Sequence, residues 1–155
     1  MGPDGATFAK LLTGLPLATY RAGETVLHAG SKTGRLLVLK KGAVVILRDS
    51  IEIASAAQPG AVFGELSALL DEPHTADVRA TEDSEFHVAD AAVARQDPSA
   101  LLYIATILAR RLAETNKGLV ELKKQLQAGQ SPGVLGKMLQ KIEEIYLVGG
   151  TSYEV

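Results

Sequence analysis

Three hydrophobic periods follow one another along this chain. Phe8, Leu11, Leu12 and Leu15 recur at helical spacing, and Leu15-Pro16 predicts the end of a first amphipathic helix. From Tyr20 to Gly60 the period shortens. Thr25-Val26-Leu27, Leu36-Leu37-Val38-Leu39, Val44-Val45-Ile46-Leu47 and Ile51-Glu52-Ile53 are β-rich runs, set apart by Gly23, Gly30-Ser31, Lys41-Gly42 and Asp49-Ser50. Evenly spaced short strands with glycine turns predict an antiparallel barrel or jelly roll. Glu85 to Ala89 adds a last strand, and Asp90 opens a short helical turn.

From Pro98 the period lengthens again. Leu101, Ala105, Leu108, Leu112, Thr115, Leu119, Leu122 and Leu126 fall at alternating steps of four and three, a heptad seam. A packed face against the barrel accounts for Leu101 to Leu112. The later part outruns a small barrel and predicts a second copy of the same helix as its partner. Gly118 weakens that helix by about 1 kcal/mol relative to alanine, which makes Asn116-Lys117-Gly118 a place to bend or fray. Gly129 to Gly133 reads as a short linker, Val134 to Leu147 as one more helix, and Gly149-Gly150 as the start of a tail. The expected fold class is α+β, mainly β. An antiparallel β-roll or jelly-roll barrel (18–89) carries an N-terminal helix (5–15), a short inserted helix and a long C-terminal helix (98–127). Residues 1–127 form one domain in this reading, and 128–155 hold linker, short helix and tail.

Composition narrows the function classes. The chain has 155 residues, 46% of them apolar and 22% charged, ordinary values for one soluble globular domain. A net charge of −2 argues against a surface that coats nucleic acid. With no cysteine, disulfides, thiolate metal sites and a thiol nucleophile are excluded together. No apolar run approaches the roughly 20 residues that span a bilayer, and no signal peptide is evident, so a cytoplasmic protein away from membranes is expected. His28, His74 and His87 are isolated and form no metal-ligand pair. No Gly-x-Ser-x-Gly, Walker loop or His-Glu-x-x-His occurs, so the chain is read as a non-enzyme with no catalytic residue, metal or resident cofactor.

The stretch with chemistry is Val62-Phe63-Gly64-Glu65-Leu66-Ser67-Ala68-Leu69-Leu70, followed by Asp71-Glu72-Pro73-His74-Thr75-Ala76. An apolar run meets a glycine, and a one-turn helix starts just beyond it. Gly64 admits a close backbone approach, and the first amides of the helix, at Glu65, Leu66, Ser67 and Ala68, offer an anion site. A carboxylate at Glu65 repels a phosphate but suits a sugar hydroxyl on the same ligand. Pro73 stops the helix, and Thr75 to Ala80 reads as the next strand. Taken singly, Gly64 is also a tight turn and Glu65 a helix-start carboxylate favoured by the dipole.

As one string, Phe63-Gly64-Glu65-Leu66, the Leu-rich helix and Thr75-Ala76 resemble the phosphate-binding cassette of the cyclic nucleotide-binding domain family. The resemblance runs from Tyr20 to Leu126. It implies that Glu65 takes the ribose 2′-hydroxyl, that Gly64 with the amides of Leu66 and Ser67 holds the cyclic phosphate, and that Thr75 adds a hydroxyl to phosphate or purine. Phe63 and Ala76 frame the same site. Ala109-Arg110-Arg111-Leu112-Ala113-Glu114-Thr115-Asn116 is similar to the dimerisation helix of catabolite activator proteins. That implies an adenine contact from Thr115, with Asn116 standing where those proteins have serine. Thr115 is alternatively a polar seam residue that sets register, and Arg110 and Arg111 form a solvated face.

The chain departs from the family at His74, where the pattern has an arginine. Histidine is mostly neutral above its ordinary pKa near 6.5, so it is read here first as a weaker phosphate ligand, with a pH-tuned ligand and a lost site as alternatives. Arg79 is no substitute, because strand parity puts it with Thr75 and Asp77 on the face opposite Ala76, Val78 and Ala80. About 28 residues follow Gln127, too few for a winged helix-turn-helix, so DNA binding is not expected. The resemblance implies a homodimeric cyclic nucleotide sensor, for cAMP before cGMP, that signals to a separate and unidentified effector protein. The alternative is a degenerate pocket on a dimeric interaction scaffold.

Overall fold

The structure is a computed structural model that describes residues 5–129 and residue 133. The element order is α1 (Gly5–Thr13), β1 (Leu17–Tyr20), β2 (Thr25–Leu27), β3 (Arg35–Lys41), β4 (Val44–Arg48), β5 (Ile51–Ala56), β6 (Val62–Phe63), α2 (Glu65–Leu70), β7 (Asp77–Ala80), β8 (Ser84–Asp90), α3 (Ala91–Ala94) and α4 (Pro98–Ala128). Two compact units divide the chain, Met1–Ile107 and Leu108–Val155.

The first unit is an antiparallel β-roll. One four-stranded sheet runs β1-β8-β3-β6 and the other β2-β7-β4-β5. Alternation along the strands sends one set of side chains between the sheets. Leu37, Leu39, Phe63 and Phe86 of the first sheet meet Val26, Leu27, Val44, Val78 and Ala80 of the second in one buried cluster. Phe86 stands edge-on to Tyr20 and Phe63, with ring centroids 5.6 and 6.2 Å apart. Leu36, Val38 and Val62 lie on the outer face of the first sheet and share a groove of about 610 Å³ with Leu11, Leu12, Leu15, Val93, Tyr103 and Ile104.

Several boundaries differ from the sequence reading. The first helix ends at Thr13 rather than Leu15, and β7 starts at Asp77 rather than Thr75, with Thr75 and Ala76 in a bend. The inserted helix stops two residues before Pro73 is reached: Asp71 adopts a left-handed conformation (φ 55°) that ends α2 directly. Asp90 opens α3 as expected, its carboxylate accepting from the amides of Ala92 and Val93. Within the first unit the buried residue of α4 is Ile104, whereas the seam residue Ala105 is exposed. Tyr103 anchors the same stretch by donating its hydroxyl to the Gly60 carbonyl at 2.8 Å.

In the second unit α4 continues through Gly118 without interruption and ends at Ala128, where the Gly129 amide still donates to the Gln125 carbonyl. Leu112, Val120 and Leu122 are exposed along it. The expected helix from Val134 to Leu147 lies outside the described residues.

Candidate functional site

The site begins where β6 ends. β6 pairs with β3 through Leu37↔Phe63 and Val38↔Val62, which fixes the buried Phe63 and aims the chain at Gly64. Gly64 is left-handed, with φ 85° and ψ 5°. A Cβ there would lie 2.6 Å from the Arg35 carbonyl oxygen and 3.5 Å from the imidazole Cε1 of His74. The glycine is therefore required by its own chain: β3 passes too close for a side chain.

α2 starts at Glu65, and no side chain caps it. The Ala68 amide donates to the Gly64 carbonyl at 3.0 Å, so the amides of Glu65, Leu66 and Ser67 stand ahead of the helical ladder. Glu65 is 6% exposed. A carboxylate so buried sits at the positive end of a helix, which favours its charge. Leu66 is exposed. Ser67 is buried and its hydroxyl donates to the Glu72 carbonyl. That bond closes the turn after the helix and occupies the Ser67 hydroxyl proton.

His74 is 6% exposed and lies against the head of the cassette. Its Nε2 shares a 2.9 Å hydrogen bond with the Thr33 hydroxyl. Its backbone is held on both sides, the amide donating to Ser31 and the carbonyl accepting from Gly30, each at 2.8 Å. Burial pushes its pKa down, and the nearby Glu65 carboxylate opposes that by pulling it up; burial prevails. The ring is thus neutral near pH 7. Thr75 is exposed, Ala76 is half-buried, and Arg79 is exposed opposite buried Val78 and Ala80, as parity expects.

The structure thus brings His74 beside Gly64 and Glu65 in the run Phe63-Gly64-Glu65-Leu66-Ser67, with Thr75 and Ala76 next to it in the chain. Thr115 and Asn116 belong to the second unit. There the Thr115 hydroxyl donates to the Arg111 carbonyl one turn back at 2.8 Å, and Asn116 is half-buried.

The β2–β3 loop escaped the sequence reading. Besides Ser31 and Thr33, it supplies Lys32, whose ammonium reaches the Asp71 carbonyl at 3.0 Å and its carboxylate at 2.7 Å. Lys32 holds the Asp71 carboxyl below its usual pKa. Arg95 closes the far end of α2 by donating to the Ala68 carbonyl at 3.2 Å. These contacts join residues 27 to 41 apart in sequence, and no local signal announces them. The 610 Å³ groove is lined by none of the cassette residues Gly64–Leu70 or His74, so it is a separate feature.

A family model described as the cyclic nucleotide-binding domain matches residues 17–96, more than half of the chain. The crystal structure of Thermus thermophilus catabolite activator protein is similar at 26% identity and a TM-score of 0.64, covering 79% of this chain and 61% of that one. A structure of cAMP-bound PfPKA-R is similar at 26% identity and a TM-score of 0.62, covering 77% and 41%. The N-terminal domain of a transcriptional regulator from Streptomyces coelicolor A3(2) is similar at 27% identity and a TM-score of 0.55, covering 74% and 85%. The chain therefore spans less than two thirds of the first two proteins. No curated protein matches significantly.

Proposed function

The chain belongs to the cyclic nucleotide-binding domain family, and from that premise we propose that it is a cyclic nucleotide sensor which passes its state to a separate effector protein. The observation that carries this reading is Glu65, a carboxylate held 6% exposed directly after a left-handed glycine, at the start of α2. A carboxylate at a helix start keeps its charge and can accept hydrogen bonds. A ribose hydroxyl is a donor that suits it, and the adjoining amides of Leu66 and Ser67 suit the cyclic phosphate. His74 adds a neutral ring donor beside Gly64 in place of a fixed positive charge. Thr75, exposed beside it, supplies a hydroxyl to phosphate or purine.

cAMP is the preferred ligand, because similar structures contain cAMP or a cAMP analogue and because Thr115 carries a hydroxyl on the seam of α4. The exposed Leu112, Val120 and Leu122 support a homodimer built on that helix. Binding acts by selecting one of two arrangements of the helical segments, and no chemical step on the nucleotide is part of the reading.

Replacing Glu65 with alanine tests the site. Titration of the Glu65→Ala protein with cAMP should show affinity lowered by roughly a hundredfold, the worth of a strong charged hydrogen bond, with an unchanged unfolding transition. Equal affinity in the two proteins removes the ribose contact from the account.

A second reading keeps the fold as a dimeric scaffold without nucleotide. It is favoured by the internal bonds of the Ser67 and Thr115 hydroxyls and of His74 Nε2, each already engaged within the protein.

A further inference from the structure

The groove on the outer face of the first sheet holds about 610 Å³. Small-molecule sites span roughly 300–1,000 Å³ and are mostly apolar, with a few placed polar groups. The apolar walls here come from four elements of the first unit: Leu12 of α1, Leu36 and Val38 of β3, Val93 of α3 and Ile104 of α4. The polar groups on the lining decide what it can hold. The Tyr103 hydroxyl donates to the Gly60 carbonyl, and the Thr33 hydroxyl is bonded to His74. Asp90 and Asp97 stand at the starts of α3 and α4. Asp90 Oδ1 accepts the amides of Ala92 and Val93 at 2.8 and 3.1 Å, and Asp97 Oδ1 those of Ser99 and Ala100 at 2.8 and 3.2 Å. Among the described residues no hydrogen bond reaches the other oxygen, Oδ2, of either carboxylate. Asp97 is half-buried, so solvent and salt screen it less than a surface charge. Arg35 is the one cation on the described lining, and it is exposed. It shares strand parity with the inward Leu37, opposite to Leu36 and Val38.

We propose that this groove is a second ligand site, for a small molecule that joins an apolar body to a protonated amine. The body lies along the apolar walls, and the ammonium donates to Asp97 Oδ2, with Asp90 adding negative charge at the same lining. A carboxylate only accepts hydrogen bonds, and an ammonium only donates them, so charge and bonding capacity match together. An anionic head would meet two like charges, and an uncharged one would leave them without a counter-ion. The site shares no residue with Gly64–Leu70 or His74 and does not depend on the nucleotide reading.

Octylamine, octanol and octanoate share one chain and differ in the head group, so together they separate the chemistries. Calorimetric titration of the full chain at pH 7 should rank octylamine about tenfold tighter than octanol, the worth of a charged hydrogen bond, with octanoate weakest. Asparagine caps a helix start as well as aspartate does, so Asp97→Asn keeps the start of α4. It should bring octylamine to the affinity of octanol and leave octanol unchanged. Methyl spectra locate the ligand, with shifts expected at Leu36, Val38 and Val93 and none at Leu112, Val120 and Leu122. Octanoate that binds as tightly as octylamine overturns the proposal, and so does octylamine binding indifferent to Asp97→Asn. Shifts confined to the α4 leucines overturn it as well. Absence of binding by all three probes does the same and gives the groove to a protein segment, of this chain or of a second copy.

Discussion

At Gly64 two constraints act on one residue. Its φ of 85° costs any other residue about 1–2 kcal/mol, and a Cβ would also collide with the Arg35 carbonyl at 2.6 Å. Backbone cannot step aside as the end of a side chain can. Gly64→Ala should therefore lower stability by at least about 2 kcal/mol, read as a drop in denaturation midpoint with no ligand present. An unchanged midpoint would mean that β3 and the cassette are further apart than described. His74 makes a second prediction at this scale. Its folded-state pKa lies below the ordinary 6.5 because burial disfavours the charged ring. The unfolded chain then binds more protons at low pH. Its contribution to stability is complete above pH 6.5 and is lost as the pH falls below that value toward the lowered one. Denaturant unfolding between pH 8 and pH 5 should show this decline in the parent and a shallower one in His74→Gln. Parallel curves would remove the burial effect. The residues of the cassette were legible in the sequence because they are contiguous, Phe63 to Ser67 and His74 to Ala76. What holds His74 was not, because Thr33 is 41 residues away and a threonine in a turn carries no mark of its partner.

Among the elements, the strands were legible where glycine and left-handed turns punctuate them. Asp49 and Ser50, at φ 51° and 64°, close the β4–β5 hairpin, and such a pair suits the twist of the two strands. The cassette helix was legible in its start and less so in its end. Pro73 is the stronger stop signal, yet Asp71 turns the chain first, and Lys32 is there to hold its carbonyl. α4 shows a different limit. Its heptad pattern is real in sequence, but burial within the first unit falls on Ile104, with Tyr103 tied to Gly60, and leaves the seam position Ala105 exposed. A helix can carry two overlapping stripes, and a periodicity count reports the longer one. The stripe that touches the roll is short and is set by the sheet it meets.

For the whole molecule, the account predicts a dimer and a ligand. Leu112, Val120 and Leu122 expose apolar surface on a helix whose spacing suits a coiled coil. Sedimentation should give twice the monomer mass for the parent, and Leu112→Asp should shift the equilibrium to monomer at micromolar concentration. A parent that sediments as a monomer would leave the seam without the partner proposed for it. The central claim is that the roll holds a cyclic nucleotide between Glu65 and His74. Calorimetric titration of the purified protein with cAMP and cGMP, at pH 6.0 and pH 8.0, tests it most directly. The account predicts saturable heat with cAMP, weaker heat with cGMP, and closely similar cAMP affinity at the two pH values because the ring works uncharged. Absence of heat, together with absence of a thermal shift at millimolar nucleotide, would contradict it.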